Sequence, residues 1–197
     1  METLRSAQKL KSAERFLSED HDELQGLLEA VFEALDDTNP ARTFERLDLF
    51  WARLGMHIRA EHLHLFPLVI QEVGTRVGLE QSLSLGEVIA AVRTLRNDHN
   101  HFMTELARAV KLAREATSTS ERKEIERCHS EVRQILTALT ERLETHNQLE
   151  EEIVYRLPKR VMTAPRQAML AANIGKELTN LPKRFGGPTE FEVVPEG

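Results

Sequence analysis

Four stretches of the chain place apolar residues three or four positions apart, the spacing that puts them on one face of an α-helix. They cover residues 17–35, 47–68, 85–106 and 125–153, with polar segments between them. No stretch alternates apolar and polar residues for long enough to predict a β-strand. Aromatic residues make up only 5% of the chain, which also favours helices. The pattern predicts an all-α protein, with an up-down-up-down four-helix bundle as the leading architecture.

The periodic pattern ends at Pro158, where the chain changes character. Residues 162–178 predict a fifth, shorter helix, and the remainder contains prolines and glycines typical of an irregular tail. We therefore expect a bundle domain over residues 1–158 and a C-terminal extension over residues 159–197.

Composition excludes several classes of protein. The formal net charge is −6, and the sequence has no cluster of Lys and Arg. Both observations argue against a nucleic-acid partner. The single cysteine, Cys128, rules out an internal disulfide and a cysteine-based metal site within one chain. Residues 1–11 are charged where a signal peptide is apolar, and no stretch approaches the roughly 20 apolar residues of a membrane span. We expect a cytoplasmic monomer or homodimer with no membrane partner.

Titratable residues interrupt the apolar face of every predicted helix. The first and third helices each carry one histidine there, and the second and fourth each carry a His-x-x-x-Glu pair. Burying such a group without a partner costs about 2 kcal/mol or more, so a purely structural bundle would have leucine instead. Shared coordination to metal removes that cost. The six candidate ligands are His21, His57, Glu61, His99, His146 and Glu150.

The spacing of these residues explains how they could hold two ions. A histidine and a carboxylate four residues apart lie on one helix face, one turn apart. The imidazole can bind one ion while the carboxylate reaches across to a second. Together the six residues offer four nitrogens and two bridging carboxylates. This donor set suits two borderline ions such as iron, and manganese or zinc would also fit.

The ligand pattern occurs twice along the chain. Each half has an Asp-His pair, then His-x-x-x-Glu, then an aromatic residue shortly before a proline. Such a repeat implies two similar helix pairs related by a pseudo-two-fold axis, with the site on that axis. One His-x-x-x-Glu alone would be a weak signal, whereas the ordered set of six is specific.

This ordered set resembles the hemerythrin-like, or HHE cation-binding, domain over about residues 12–158. The sequence Leu-Ser-Glu-Asp-His-Asp-Glu-Leu at residues 17–24 and the Leu-Phe-Pro at residues 65–67 match it too. The resemblance implies a non-haem di-iron centre with an oxo or hydroxo bridge, in a four-helix bundle, with Glu61 and Glu150 also bridging. It further implies that one iron takes His21 and His57, and the other takes His99 and His146.

The sequence departs from the oxygen-carrying hemerythrins at two positions. Met103 stands where those proteins have a second histidine in the third helix, and the last carboxylate is Glu150 in place of an Asp one residue later. Both departures match the branch with the iron–sulfur-repair di-iron proteins and many stand-alone bacterial HHE proteins. The repair proteins usually also have a cysteine-bearing N-terminal domain, which we do not expect here. The missing imidazole implies an extra coordination position for water, oxygen, peroxide or nitric oxide.

These features leave the function open between two main classes. One is a di-iron protein that binds or reacts with oxygen, peroxide or nitric oxide. The other is a sensing or regulatory module, read by a protein partner through residues 159–197. Iron buffering is a weaker third alternative, because one metal pair per chain stores little iron.

The sequence also predicts where several further side chains lie. We expect His62 at the solvent or beside a ligand, and both His101 and His129 at the surface. Phe66 and Tyr155 are predicted to form a symmetry-related pair that closes one end of the bundle. We expect Met103 to face the metals.

Overall fold

The structure, a computed structural model, describes residues 11–75 and 84–186, and every regular element within these ranges is helical. The prediction of an all-α chain is confirmed. The α-helices of the described residues are α1 (Ala13–Asp36), α2 (Pro40–Ala60), α3 (Phe66–Thr75), α4 (Leu85–Thr117), α5 (Arg122–Leu149), α6 (Leu157–Val161) and α7 (Ala164–Leu178), followed by a 3₁₀ turn over Lys183–Phe185.

Local sequence explains where the long helices begin. The side chain of Ser12 accepts a hydrogen bond from the Arg15 amide at the start of α1. Asn39 does the same for α2, where Pro40 supplies a first helical residue that needs no amide partner. Ser84 starts α4 with a reciprocal capping box to Glu87. These caps satisfy amides that the first turn of a helix leaves without intrahelical partners.

Two π-helical segments continue α2 and α5 without a break. They cover Glu61–Leu65 and Glu150–Val154, so each begins at a candidate bridging glutamate. In each segment the amide of the fifth following residue, Phe66 or Tyr155, donates to the glutamate carbonyl. The wider turn brings that fifth residue back over the glutamate. Such segments are rare and frequent at functional sites.

The four long helices pack against one another around two apolar clusters. α1 contacts α2 and α5, and α4 contacts α2 and α5. We call one of them the lower cluster, which includes Leu28, Leu54 and Leu106, and the other the upper cluster, which includes Leu17 and Leu95. Along each helix the six candidate ligands lie between residues of the lower cluster and residues of the upper cluster. They therefore form one polar layer between two apolar cores.

The short helix predicted after Pro158 is confirmed as α7, which packs on α1, α2 and the first π-helical segment. Its Leu170 and Ile174 belong to the upper cluster. The domain boundary at residue 158 stays a prediction, and the end of the expected tail, residues 187–197, lies outside the described residues. Among the described helices, none is long and apolar enough to cross a membrane.

We predict that Leu106→Ala lowers the free energy of unfolding by about 2–5 kcal/mol, because Leu106 is fully buried and its truncation leaves a cavity. Met169→Ala is the control: its side chain is 52% exposed, so the change should stay within about 0.5 kcal/mol. Urea unfolding at equal metal content measures both. Equal stability of the two variants would contradict the packing described for Leu106.

Candidate metal centre

The structure brings all six candidate ligands together in the polar layer, and all six are buried. Glu61 and Glu150 are completely inaccessible to solvent. Each lies at the end of its α-helix, where the π-helical segment begins.

The four histidines form two pairs. His21 of α1 and His57 of α2 place their Nε2 atoms 3.2 Å apart. His99 of α4 and His146 of α5 place theirs 3.0 Å apart. This pairing is the one that the family resemblance implies. Each pair, together with Glu150, forms a group whose ligand atoms are close enough to hold one metal ion.

Each glutamate faces both histidine pairs, with one oxygen toward each. Glu61 Oε1 lies 3.7 Å from His57 Nε2, and its Oε2 lies 3.3 Å from His99 Nε2. Glu150 Oε2 lies 3.3 Å from His21 Nε2, and its Oε1 lies 3.0 Å from His146 Nε2. A carboxylate that bridges two ions must be placed in this way.

Two carboxylate oxygens in this layer have no adequate hydrogen-bond donor. Glu61 Oε2 and Glu150 Oε1 are buried without a well-aligned donor among residues 11–75 and 84–186. A buried acceptor without a donor costs about 1–3 kcal/mol, and more when charged. A cation between the histidine pairs would satisfy both atoms. The residues present therefore fit a metal ion.

Burial also sets the protonation states of the layer. Desolvation and the charge of Glu150 raise the pKa of Glu61 well above its usual range. Burial acts the same way on Glu150, but the close imidazole nitrogens of His146, His21 and His99 outweigh it and hold the pKa of Glu150 well below the usual range. Burial lowers the pKa of His99 to about 4 and lowers that of His57. His99 is thus a neutral imidazole at neutral pH, the form that binds metal.

An aspartate fixes one histidine of each pair from behind. Asp20 Oδ2 lies 2.9 Å from His57 Nδ1, and Asp98 Oδ2 lies 3.4 Å from His146 Nδ1. The other oxygen of each aspartate accepts a hydrogen bond from an arginine four residues before that histidine, Arg53 or Arg142. Such contacts orient the ring so that Nε2 points into the layer. Sequence reasoning noted the Asp-His repeat but missed this role.

The remaining two histidines are fixed by the residue that follows each glutamate. Glu151 Oε1 lies 2.9 Å from His21 Nδ1, whereas His62 Nε2 lies 2.9 Å from His99 Nδ1. His62 is half-buried and lies beside a ligand, one of the two positions expected for it. The two halves differ here, with a carboxylate behind one histidine and an imidazole behind the other.

The Phe66–Tyr155 pair also differs between the halves. The Tyr155 phenol oxygen lies within 3.3 Å of four candidate ligand atoms, which belong to Glu61, Glu150, His21 and His57. Phe66 instead stacks on His99 with ring centroids 6.0 Å apart. Desolvation and the two glutamates raise the pKa of Tyr155 well above its usual range. The prediction that this pair closes the bundle end did not include the position of the phenol among the candidate ligands.

A small cavity reaches the layer from the lower core. Its volume is about 30 Å³, close to the space of one water molecule. The four histidines contribute to its wall together with Leu24, Leu28, Phe50, Leu54 and Leu143, and with the polar Gln25 and Asn147. Met103 is half-buried and packs against the lower cluster. The surface position predicted for His101 is confirmed, whereas that predicted for His129 is wrong, because His129 is among the buried residues of α5.

Comparisons with protein-family models, with curated proteins and with solved structures found no match to this chain. The interpretation of the site therefore depends on the residues of this chain and their geometry.

Proposed function

We propose that this chain is a hemerythrin-like protein whose polar layer holds two metal ions, most suitably iron, with manganese or zinc as alternatives. In this proposal α1, α2, α4 and α5 are the helices of an up-down-up-down four-helix bundle. One observation supports the metal pair above all. Glu61 and Glu150 each direct one oxygen at each histidine pair.

The roles of the residues follow from their positions. His21 and His57 would bind one ion, and His99 and His146 the other, with both glutamates bridging. Asp20 and Asp98 would hold the Nδ1 protons of His57 and His146, so that each Nε2 lone pair faces the layer. When bound, a pair of redox-active ions supplies a place for small oxidants to bind and accept electrons.

The cavity supports a small, uncharged ligand. At the layer itself the cavity offers only about 30 Å³ between leucine and phenylalanine walls, which favours a small ligand over an organic substrate. The apolar side chains of its wall also favour an uncharged ligand over a charged one. We therefore propose that the ligand is oxygen, peroxide or nitric oxide.

A sensing role is the second candidate, and a contact with α7 favours it. Arg53 donates to the backbone carbonyl of Leu178, the last residue of α7, at 2.9 Å. The same guanidinium binds Asp20, which holds His57. A movement of His57 would therefore reach the C-terminal end of α7. Catalytic consumption of peroxide or nitric oxide would favour the reactive protein, whereas one stoichiometric spectral change with altered hydrogen exchange in α7 would favour the sensor.

The first prediction of this proposal concerns metal content. Protein made in iron-sufficient medium should carry two metal ions per chain, with the absorption of a bridged diferric pair after aerobic purification. Elemental analysis and an optical spectrum measure this. A chain that binds a single zinc ion, or no metal, would contradict the di-iron proposal.

Removing either bridging carboxylate should empty the site. We predict that Glu61→Ala and Glu150→Ala each lose both ions, because each glutamate faces both histidine pairs. His101→Ala is the control, since His101 is exposed on α4 and should keep both ions. Elemental analysis after gel filtration compares the three variants. Full occupancy in a folded Glu61→Ala or Glu150→Ala protein would show that this residue does not bridge.

The aspartate behind His57 should tune affinity without being a ligand. We predict that Asp20→Asn weakens metal binding about 10–100-fold, because the amide holds the imidazole less strongly. The control on the same helix is Asp36→Asn, whose side chain is 71% exposed in an ion pair with Arg133. Competition with a chelator measures both affinities. Equal affinities would exclude a role for Asp20 in holding the ligand.

A further inference from the structure

The phenol of Tyr155 makes contacts that hydrogen bonding alone does not explain. Its oxygen lies 2.7 Å from Glu61 Oε1 and 3.1 Å from Glu150 Oε2. It also lies 3.1 Å from His21 Nε2 and 3.3 Å from His57 Nε2. A phenol has one proton, so it can donate to only one of the two carboxylates. Four polar atoms gathered around one fully buried oxygen suit a shared cation better than a single proton.

The separations within this group are those of ligands on one ion. Neighbouring ligands of an octahedral ion with bonds of about 2.1 Å lie about 3.0 Å apart. Three separations among the four atoms around the phenol are also short: the His21–His57 contact is 3.2 Å, His21–Glu150 is 3.3 Å and His57–Glu61 is 3.7 Å. The phenol oxygen lies between 2.7 and 3.3 Å from all four atoms, so one ion could contact it together with them.

We propose that the Tyr155 oxygen is a further protein ligand of the ion held by His21 and His57. This inference rests on the proposed metal pair and adds a ligand to it. On binding, a metal–oxygen bond replaces the O–H bond, and the phenol proton leaves to solvent. No electron is transferred in this step, so no oxidant or reductant is needed.

The π-helical segment explains why a tyrosine at this position can reach the ion. Tyr155 is the fifth residue after Glu150, and its amide donates to the Glu150 carbonyl at 2.8 Å. In a regular α-helix the fifth residue after the glutamate would point about 140° away from it around the helix axis. The wider π turn returns Tyr155 to the face on which Glu150 lies.

The same geometry makes the two ions unequal. Phe66 is the fifth residue after Glu61, and its ring stacks on His99 without a donor atom to offer. The ion at His21 and His57 therefore has five protein donors, and the ion at His99 and His146 has four. More coordination positions stay open on the second ion, which is where the small ligand should bind.

Resonance Raman spectroscopy of the iron-loaded, oxidised chain tests the inference. A phenolate bound to ferric iron gives a visible charge-transfer band, and excitation in that band enhances the ring vibrations of the tyrosine. Tyr155 is the one tyrosine in the sequence, so any enhanced tyrosine mode belongs to it. We expect both signals from the wild-type chain with two irons bound.

Tyr155→Phe removes the oxygen and keeps the ring, and it should lose the band and the tyrosine modes while retaining two irons per chain. His101→Ala should keep both signals. Two irons in the wild-type chain without enhanced tyrosine modes would overturn the Tyr155 ligand and leave the metal pair intact. No bound iron in the wild-type chain would overturn both proposals.

Discussion

The structure depends on how two carboxylates and four imidazoles are buried together in one layer. Glu61 and Glu150 have no solvent exposure, and each has an oxygen without a well-aligned donor in the part of the chain that the structure describes. Two carboxylates in a dry layer cannot both stay charged without positive charge nearby. His99 does not supply it, because burial lowers its pKa to about 4. Burial also acts against protonation of His21, but its contacts with Glu150 and Glu151 outweigh that effect and raise the pKa of this one imidazole. Metal ions would satisfy this layer as a whole.

The surrounding residues are arranged to hold this layer in a repeated way. In both halves an aspartate binds one histidine, an arginine binds the aspartate, and a π-helical segment starts at the glutamate. The two halves differ in two residues that contact the histidines: His62 occupies the position equivalent to Glu151, and Phe66 occupies the position equivalent to Tyr155. Both differences act on the histidines from α1 and α4, so two similar halves give two unlike metal positions.

The sequence predicted the all-α fold and the meeting of the six residues, because titratable groups at helical spacing stand out on an apolar face. It did not predict the π-helical segments, because a single wider turn leaves no recognisable signal in the composition or in the length of a helical stretch. A constant helical period placed Leu68 and Ile153 on the core face. Both are half-buried against the upper cluster, whereas the following residues, Val69 and Val154, are completely buried. The same shift hid the position of Tyr155. The contact between Asp20 and His57 depends on how α1 packs on α2, which spacing does not specify.

The polar layer also has a consequence for how the chain unfolds. It separates two apolar clusters, and the four long helices all pass through it. With the layer filled, each bound ion stabilises the folded state by about 2.7 kcal/mol at a free concentration one hundred times its dissociation constant. Without ions, the layer contributes buried charge and little cohesion between the clusters. The metal-free chain should therefore lose its cooperativity, with the two cores melting in separate steps in place of one transition.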